Sequence, residues 1–355
     1  MRALIENEWL PFIIALVAGI LTAMFRFAQL NAALTFLFSA ISLAILAIVV
    51  GQATEQLGTF LGPGATGIIQ ASIASMPELF VSFFALQAGL VTVVQSALAG
   101  SILANSLLVM GLAFLLGGWK NGTQRFGSER PRAIVILMVL AVSALVTPTI
   151  VDAIHTPAEA HEETLSIASA LVLLLVFFAS IPFSLQSGSM GETVPATGYD
   201  EKRWSLPRVL FVLVAAGIAA AFVSDWFVEA LEPTIASLGI SEAFAGLVIV
   251  AIAGNAVENV VGIQLAIKNR ADYAISVVMN SSLQVALALT PILVILSYFF
   301  TPVALTLVLP PLLVVSLALT AILSALIVYD GESNWLEGLA LIGLYIMIAI
   351  SFWWG

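Results

Sequence analysis

Long apolar runs make up most of the chain, parted by short polar or Gly/Pro-rich breaks. A membrane-spanning helix takes about 20 mostly apolar residues. The runs therefore predict eleven such helices, near residues 10–26, 31–58, 64–88, 91–117, 131–151, 163–184, 207–230, 240–268, 271–298, 302–328 and 335–353. The spans at 31–58 and 240–268 outrun the hydrocarbon layer and must tilt, kink or protrude. No small-residue cleavage pattern follows the first run, so it reads as a retained helix rather than a signal peptide. The longest polar break, 185–206, divides the chain into nearly equal halves.

Composition agrees with this pattern. The 355 residues are 61% hydrophobic and only 9% charged, against roughly half and a quarter in soluble domains, so the expectation is an all-α integral membrane protein. With no cysteine, disulfides and thiolate metal ligands are excluded. The net charge of −10 matters less than its distribution. Threading eleven spans puts every Lys and Arg except Arg26 on one side, which predicts a cytoplasmic N-terminus, a cytoplasmic acidic linker at 185–206 and an external C-terminus. Asp152, Glu159, Glu162, Glu163, Asp225, Glu229, Glu232 and Glu242 collect on the external side, as a solvated acidic face or one that concentrates cations. A compact chain without targeting extensions points to a microbial plasma membrane. There is no phosphate-binding Gly-rich loop, no catalytic triad spacing and no basic nucleic-acid patch. An enzyme, a resident cofactor and a nucleic-acid partner are not expected.

A gap-free shift of 180 residues lays 71–106 over 251–286, Glu78 over Glu258 and Ser101 over Ser281. Each segment reads as a helix broken near a carboxylate, a short turn and a second helix carrying small polar groups. The breaker is Pro77 in the first and Gly254-Asn255 in the second. Glu78 falls on the third span and Glu258 on the eighth, so the two helices run in opposite directions. The predicted organisation is one N-terminal helix (1–30), a first five-helix repeat (31–184), the linker (185–206) and an inverted second repeat (207–355).

Both glutamates fall near the middle of their spans, where a lone charge costs about 2.5–3.5 kcal/mol by insertion scales. Lys and Arg occur only at span ends, which leaves protons or a metal ion to neutralise them. Asn255, Glu258, Asn259 and Gly262 share one helical face, and Ser75 and Ser82 flank Glu78 on a similar face. The following helices add Ser101 and Asn105, then Asn280, Ser281 and Gln284. The small serines also suit plain helix packing. Oxygen-only ligands favour Ca²⁺, Mg²⁺ or an alkali ion, and two carboxylates favour a divalent one, calcium above all. Glu55 at a span end, and His155 and His161 in the external loop, read as interfacial or solvated groups.

The stretch GNAVENVVGIQLAIKNRADYAISVVMNSSLQVAL, 254–287, resembles the second repeat of the Ca²⁺/H⁺ exchangers of the cation/calcium exchanger superfamily, with its glycine-asparagine-alanine-x-glutamate motif and later serine-glutamine pair. SMPELFVSFFAL and GSILANSLLVMGLAF are similar to the corresponding first repeat. The resemblance implies Glu78 and Glu258 as central cation ligands, lined by Ser75, Asn255, Ser101, Asn105, Ser281 and Gln284. Two departures stand out. Ala74-Ser75-Met76-Pro77-Glu78 is closer to the form of sodium-coupled relatives, and Asn280 replaces a usual glycine. The expectation is a Ca²⁺/H⁺ antiporter working by alternating access in a lipid bilayer, with Ca²⁺ and protons as substrates. A Na⁺-coupled or other-divalent exchanger of the same fold is the alternative. A cation channel is a third reading, against which the inverted repeat and broken helices argue.

Overall fold

The computed structural model describes residues 10–28, 31–58, 60, 75–127, 129–186 and 204–355, with side-chain detail for all but 10–12, 55, 58, 129–130, 182–186 and 257–258. The start of the predicted span 64–88, most of the linker 185–206, and Arg2, Lys202 and Arg203 lie outside the described residues, as do the side chains of Glu55 and Glu258.

The described chain is almost wholly helical. In order it forms α1 (Leu10–Phe27), α2 (Ala32–Gly58), α3 (Met76–Gln87), α4 (Val91–Asn121), α5 (Glu129–Ala153), α6 (Glu162–Gln186) and α7 (Leu206–Leu238). Then follow α8 (Glu242–Gly254), α9 (Ala256–Ile267), α10 (Ala271–Phe300), α11 (Pro311–Asp330) and α12 (Trp335–Ser351). A two-residue ribbon, β1 (Gln124–Arg125) with β2 (Glu332–Ser333), pairs antiparallel, Gln124 opposite Ser333. Among the described residues seven helices are long and apolar enough to cross a membrane, and an eighth if α8 and α9, bent by 64° at their junction, count as one span. α1, α3 and α12 are shorter apolar helices.

The chain divides into two compact units, 1–88 with 179–239 and 89–178 with 240–355, so each draws on both halves of the sequence. In the first unit α2 packs along α1 and α7, and α3 packs on α7. Aromatic rings fill these seams: Phe36 stacks on Phe227 and Phe25 on Phe38. Arg26 at the end of α1 pairs with Glu229 and lies 3.9 Å from Asp225, both on α7.

The second unit is built around α4, whose most apolar stretch is 83% buried, whereas that of α6 is 17% buried. α4 is apolar on all sides and rich in small residues, which suits a helix enclosed by others. Its crossings are made by glycines. A Cβ on Gly246 of α8 would stand 2.3 Å from the Val93 carbonyl oxygen, and one on Gly100 2.4 Å from that of Leu247. Gly111 and Gly338 bring α4 and α12 together in the same way.

Two predicted boundaries are corrected. α7 continues past residue 230, through Pro233, to Gly239, whose φ of +63° ends it in the left-handed region. The helix expected from 302 starts at Pro311, and 301–310 is irregular instead, neither helix nor strand. Pro302 and the Pro310-Pro311 pair bound this stretch, and Leu305, Leu307 and Leu309 are buried in alternation, the period of a strand. Side chains take the place of a partner strand. Gln95 donates to the Thr306 and Val308 carbonyls at 3.0 and 2.9 Å. Thr149 donates to Leu307 O and accepts from Leu309 N at 3.0 and 2.8 Å. Ser166 and Ser297 accept from the amides of Leu307 and Leu305. Irregular backbone survives among apolar helices only when its polar groups are satisfied in this way.

Candidate cation site

The close crossing of α4 and α8 determines which short side chains can meet. Gly100 brings the two backbones together, so Ser101, the next residue of α4, comes within reach of the helix break that follows α8. That break falls where the weak helix formers Gly254 and Asn255 predict it: Asn255 leaves helical geometry at φ −102°, ψ +20°, and α9 starts at the next residue.

Asn255 is the hub of a buried polar network. Its Nδ2 donates to Ser101 Oγ and to the Ala251 carbonyl, each at 3.0 Å. Its Oδ1 accepts from Ser281 Oγ at 3.2 Å and from Asn105 Nδ2 at 3.4 Å, and Asn105 Nδ2 also reaches Ser281 Oγ at 3.1 Å. Three helical segments are thereby tied: α4, the α8–α9 junction and α10. Ser101 and Asn105 are fully buried and Asn255 is 3% exposed. Two further oxygens, Asn105 Oδ1 and Asn259 Oδ1, are buried with no hydrogen-bond donor. They are hard acceptors of the kind that coordinate Ca²⁺ or Mg²⁺.

Four of the nine expected site residues, Ser101, Asn105, Asn255 and Ser281, therefore meet. Asn280 and Gln284 lie within one turn of Ser281 on α10, half-buried. Glu78 and Ser75 belong to the other compact unit, at the start of α3, where Glu78 is 5% exposed and Ser75 half-buried. Glu258 lies on α9. The two helices bearing the glutamates match closely. α3 and α9 are both 12 residues long and start 180 residues apart, so Glu78 and Glu258 each stand third in a helix preceded by Ser75 or Asn255. At that place the helix dipole is complementary to a carboxylate. Among the described residues no three His, Asp or Glu side chains gather.

Sequence reasoning missed two features. Ser106 and Ser282, each adjacent to an expected residue, face one another across α4 and α10 at 3.3 Å. Both helices also pass through a π-helical turn beside the network, at Ala104–Val109 and Val285–Leu289, and α8 has another at Ala245–Val250. Such turns recur at functional sites. The Asn-Ser and Ser-Ser pairs were a visible signal for the serines, and nothing in the residue pattern marks the π turns.

The model of the sodium/calcium exchanger protein family matches residues 31–186 and 208–354. The chain is 35% identical over 338 residues to a Ca²⁺/H⁺ antiporter of Aphanothece halophytica, covering 89% of each. It is 34% identical over 351 residues to the Ca²⁺/H⁺ antiporter ChaA of Bacillus subtilis (strain 168), covering 96% of this chain and 98% of that one. The solved structure of native YfkE superposes with a TM-score of 0.82 at 32% identity, covering 97% of this chain and 99% of that one. The H⁺/Ca²⁺ exchanger CAX, at 15% identity and a TM-score of 0.71, shares the fold. This is an integral membrane transporter and not an enzyme. The chain belongs to the sodium/calcium exchanger protein family, within its Ca²⁺/H⁺ exchanger branch.

Proposed function

We propose that the protein exports Ca²⁺ in exchange for H⁺ by alternating access, through a midplane site to which Glu78 and Glu258 contribute from inverted repeats. In this reading eleven spans cross the bilayer, one N-terminal helix and two five-helix repeats, with the N-terminus cytoplasmic and the C-terminus external. Ser75, Ser101, Asn105, Asn255, Asn280, Ser281 and Gln284 complete the site. Two carboxylates are neutralised equally well by one Ca²⁺ or by two protons, and a bare pair is the expensive state in a membrane interior. Metal and protons then compete for one site, and the carrier crosses loaded with either. In this exchange the first two helices, α1 and α2, or their repeat counterpart shift against the core.

The observation that carries this reading is the Asn255 hub: hydroxyl and amide oxygens converging where a helix breaks three residues before Glu258. Names of relatives as Ca²⁺/H⁺ antiporters support the choice of ions. The test is calcium uptake into everted or reconstituted vesicles under separate pH and sodium gradients. Uptake should follow the pH gradient, and Glu78→Gln or Glu258→Gln should abolish it. Normal uptake by either variant removes that residue from the site. The first-repeat form Ala74-Ser75-Met76-Pro77-Glu78 favours a second reading, sodium coupling. Uptake driven by sodium with no pH gradient would establish it.

A further inference from the structure

We infer that Gln124, with Asn121, is a positioning residue for α9, holding the far end of the helix on which Glu258 lies. α9 is short and separated from α8 by the break at Asn255, so its register is not inherited from a longer helix. Its last carbonyls are met in part by the backbone of the following turn, as Ala266 is by Asn269 N at 3.0 Å, and they also accept from two side-chain amides from the end of α4 and the turn after it. Gln124 Nε2 donates to the Ala266 carbonyl at 2.9 Å and to Asn269 Oδ1 at 3.0 Å. Asn121 Nδ2 donates to the Ala266 and Ile267 carbonyls, each at 3.2 Å.

Gln124 is itself held. It is 2% exposed, it lies on β1, and β1 pairs with β2 through the Gln124–Ser333 and Arg125–Glu332 register, the second reinforced by an ion pair at 2.9 Å. Gly117 makes room for it: a Cβ there would stand 2.3 Å from Gln124 Oε1. Asn269, in the left-handed region at φ +58°, turns its side chain to Gln124 as the chain leaves α9. The next helix is fixed to the same turn, since Gly127 N donates to Asp272 at the start of α10.

α9 is therefore fastened at both ends to α4, by Asn255 to Ser101 at one end and by Ala266 and Ile267 to Gln124 and Asn121 at the other. A rod of 12 residues gripped at both ends has neither axial nor rotational freedom relative to α4. Releasing the far grip lets the Glu258 position drift with respect to Asn105 and Ser281. α3 has no such clamp: among the described residues no side chain donates to its last carbonyls, and Ala88 N closes its final turn.

The inference rests on the calcium-exchange reading, so its test has one arm that needs transport and one that does not. Gln124→Leu keeps side-chain bulk and removes the donors. In vesicles it should raise the calcium concentration for half-maximal uptake about tenfold, the low end for lost outer-shell support at metal sites, with the maximal rate per folded molecule nearly unchanged. Asn121→Ala, at an exposed position and safe for folding, should give a smaller rise in the same direction. The cysteine-free chain permits spin labels at Trp119→Cys on α4 and Lys268→Cys just past α9. Their distance distribution should be narrow in the parent and broadened by Gln124→Leu. If half-saturation is unchanged in both variants, or the label distance is unchanged, the inference is overturned, and a lower yield alone counts as ordinary loss of stability. If the parent protein takes up no calcium, the exchange reading fails instead, and the label distances still decide whether the clamp exists.

Discussion

In the unit formed by 1–88 and 179–239, most of the buried hydroxyls bond back to their own helix: Thr22 to Ala18, Ser39 to Thr35, Thr54 to Val50 and Thr234 to Ala230, all carbonyls one turn earlier, while Ser42 reaches across from α2 to the Ala15 carbonyl of α1 at 3.4 Å. In the unit formed by 89–178 and 240–355, the buried polar groups at the heart reach across. Asn255 joins α4 and α10, Ser106 meets Ser282, and Gln95, Thr149 and Ser166 hold the irregular stretch 301–310. The side-chain chemistry is similar and the structural consequence is opposite. A hydroxyl bonded within its helix is satisfied wherever that helix lies, so it says nothing about neighbours. A bond across helices exists at one register only. The second unit is thus pinned into one geometry, which is what the proposed ion site would need. The first is held chiefly by apolar seams such as Phe36 on Phe227, with fewer bonds across helices, among them Ser42 to Ala15 and Arg26 to Glu229.

The largest effect expected from this contrast is at the glycine crossings. Gly246→Leu must drive a side chain into the Val93 carbonyl, so no folded protein should be recovered in detergent. Gly217→Leu, on α7 of the other unit where nothing lies within 4 Å, should yield protein as the parent does. Size-exclusion profiles of the two variants measure this. If Gly246→Leu elutes as a normal, monodisperse species, α4 and α8 are not locked together.

Next in size is Asn255→Leu. It removes the bonds to Ser101, Ser281 and Asn105 at once, although Asn105 and Ser281 keep the bond between them, and a buried polar group that loses its partner costs about 1–3 kcal/mol. Thermal unfolding in detergent should show a loss within that range. Asn255→Asp keeps the acceptor for Ser281 and Asn105 and should lose less, so equal losses would mean that the network's bonds do not carry the effect.

These elements were unequally legible beforehand. The break at Asn255 could be read because Gly254 and Asn255 are poor helix formers inside an apolar run, and Ser101 with Asn105 because four residues make one turn. The matched α3 and α9 were visible as a 180-residue offset of Glu78 and Glu258. The irregular stretch was not. TPVALTLVLP is apolar enough to pass for a helix, and the groups that satisfy its backbone, Gln95, Thr149 and Ser166, are contributed by residues 141 to 213 positions away. Periodicity in so short a run cannot separate a strand from a buried helix. Gln124 was invisible for the same reason: its partners, the Ala266 carbonyl and Asn269 Oδ1, are 142 and 145 residues away and not among its neighbours in sequence.

Thr149→Val tests one such distant bond. It removes the donor to Leu307 O and the acceptor for Leu309 N while preserving shape, and about 1–3 kcal/mol should be lost. Thermal unfolding would show it as a lowered midpoint. An unshifted midpoint would mean that the stretch holds its shape without Thr149.

The smallest effect should come from Ser39→Ala in the first unit. Ser39 is fully buried on α2, and its hydroxyl bonds only the carbonyls of Thr35 and Phe36 in its own helix, at 2.8 and 2.9 Å. Those carbonyls keep helical partners when the hydroxyl is gone, and alanine is the better helix former. The change in unfolding free energy should stay within about 0.5 kcal/mol, because no buried group loses its sole partner. The comparison with Thr149→Val is the informative one, since both delete a buried hydroxyl and differ only in whether its bonds leave the helix. If Ser39→Ala lowers the midpoint as far as Thr149→Val does, burial of the hydroxyl rather than the direction of its bonds sets the cost, and the first unit is as firmly specified as the second.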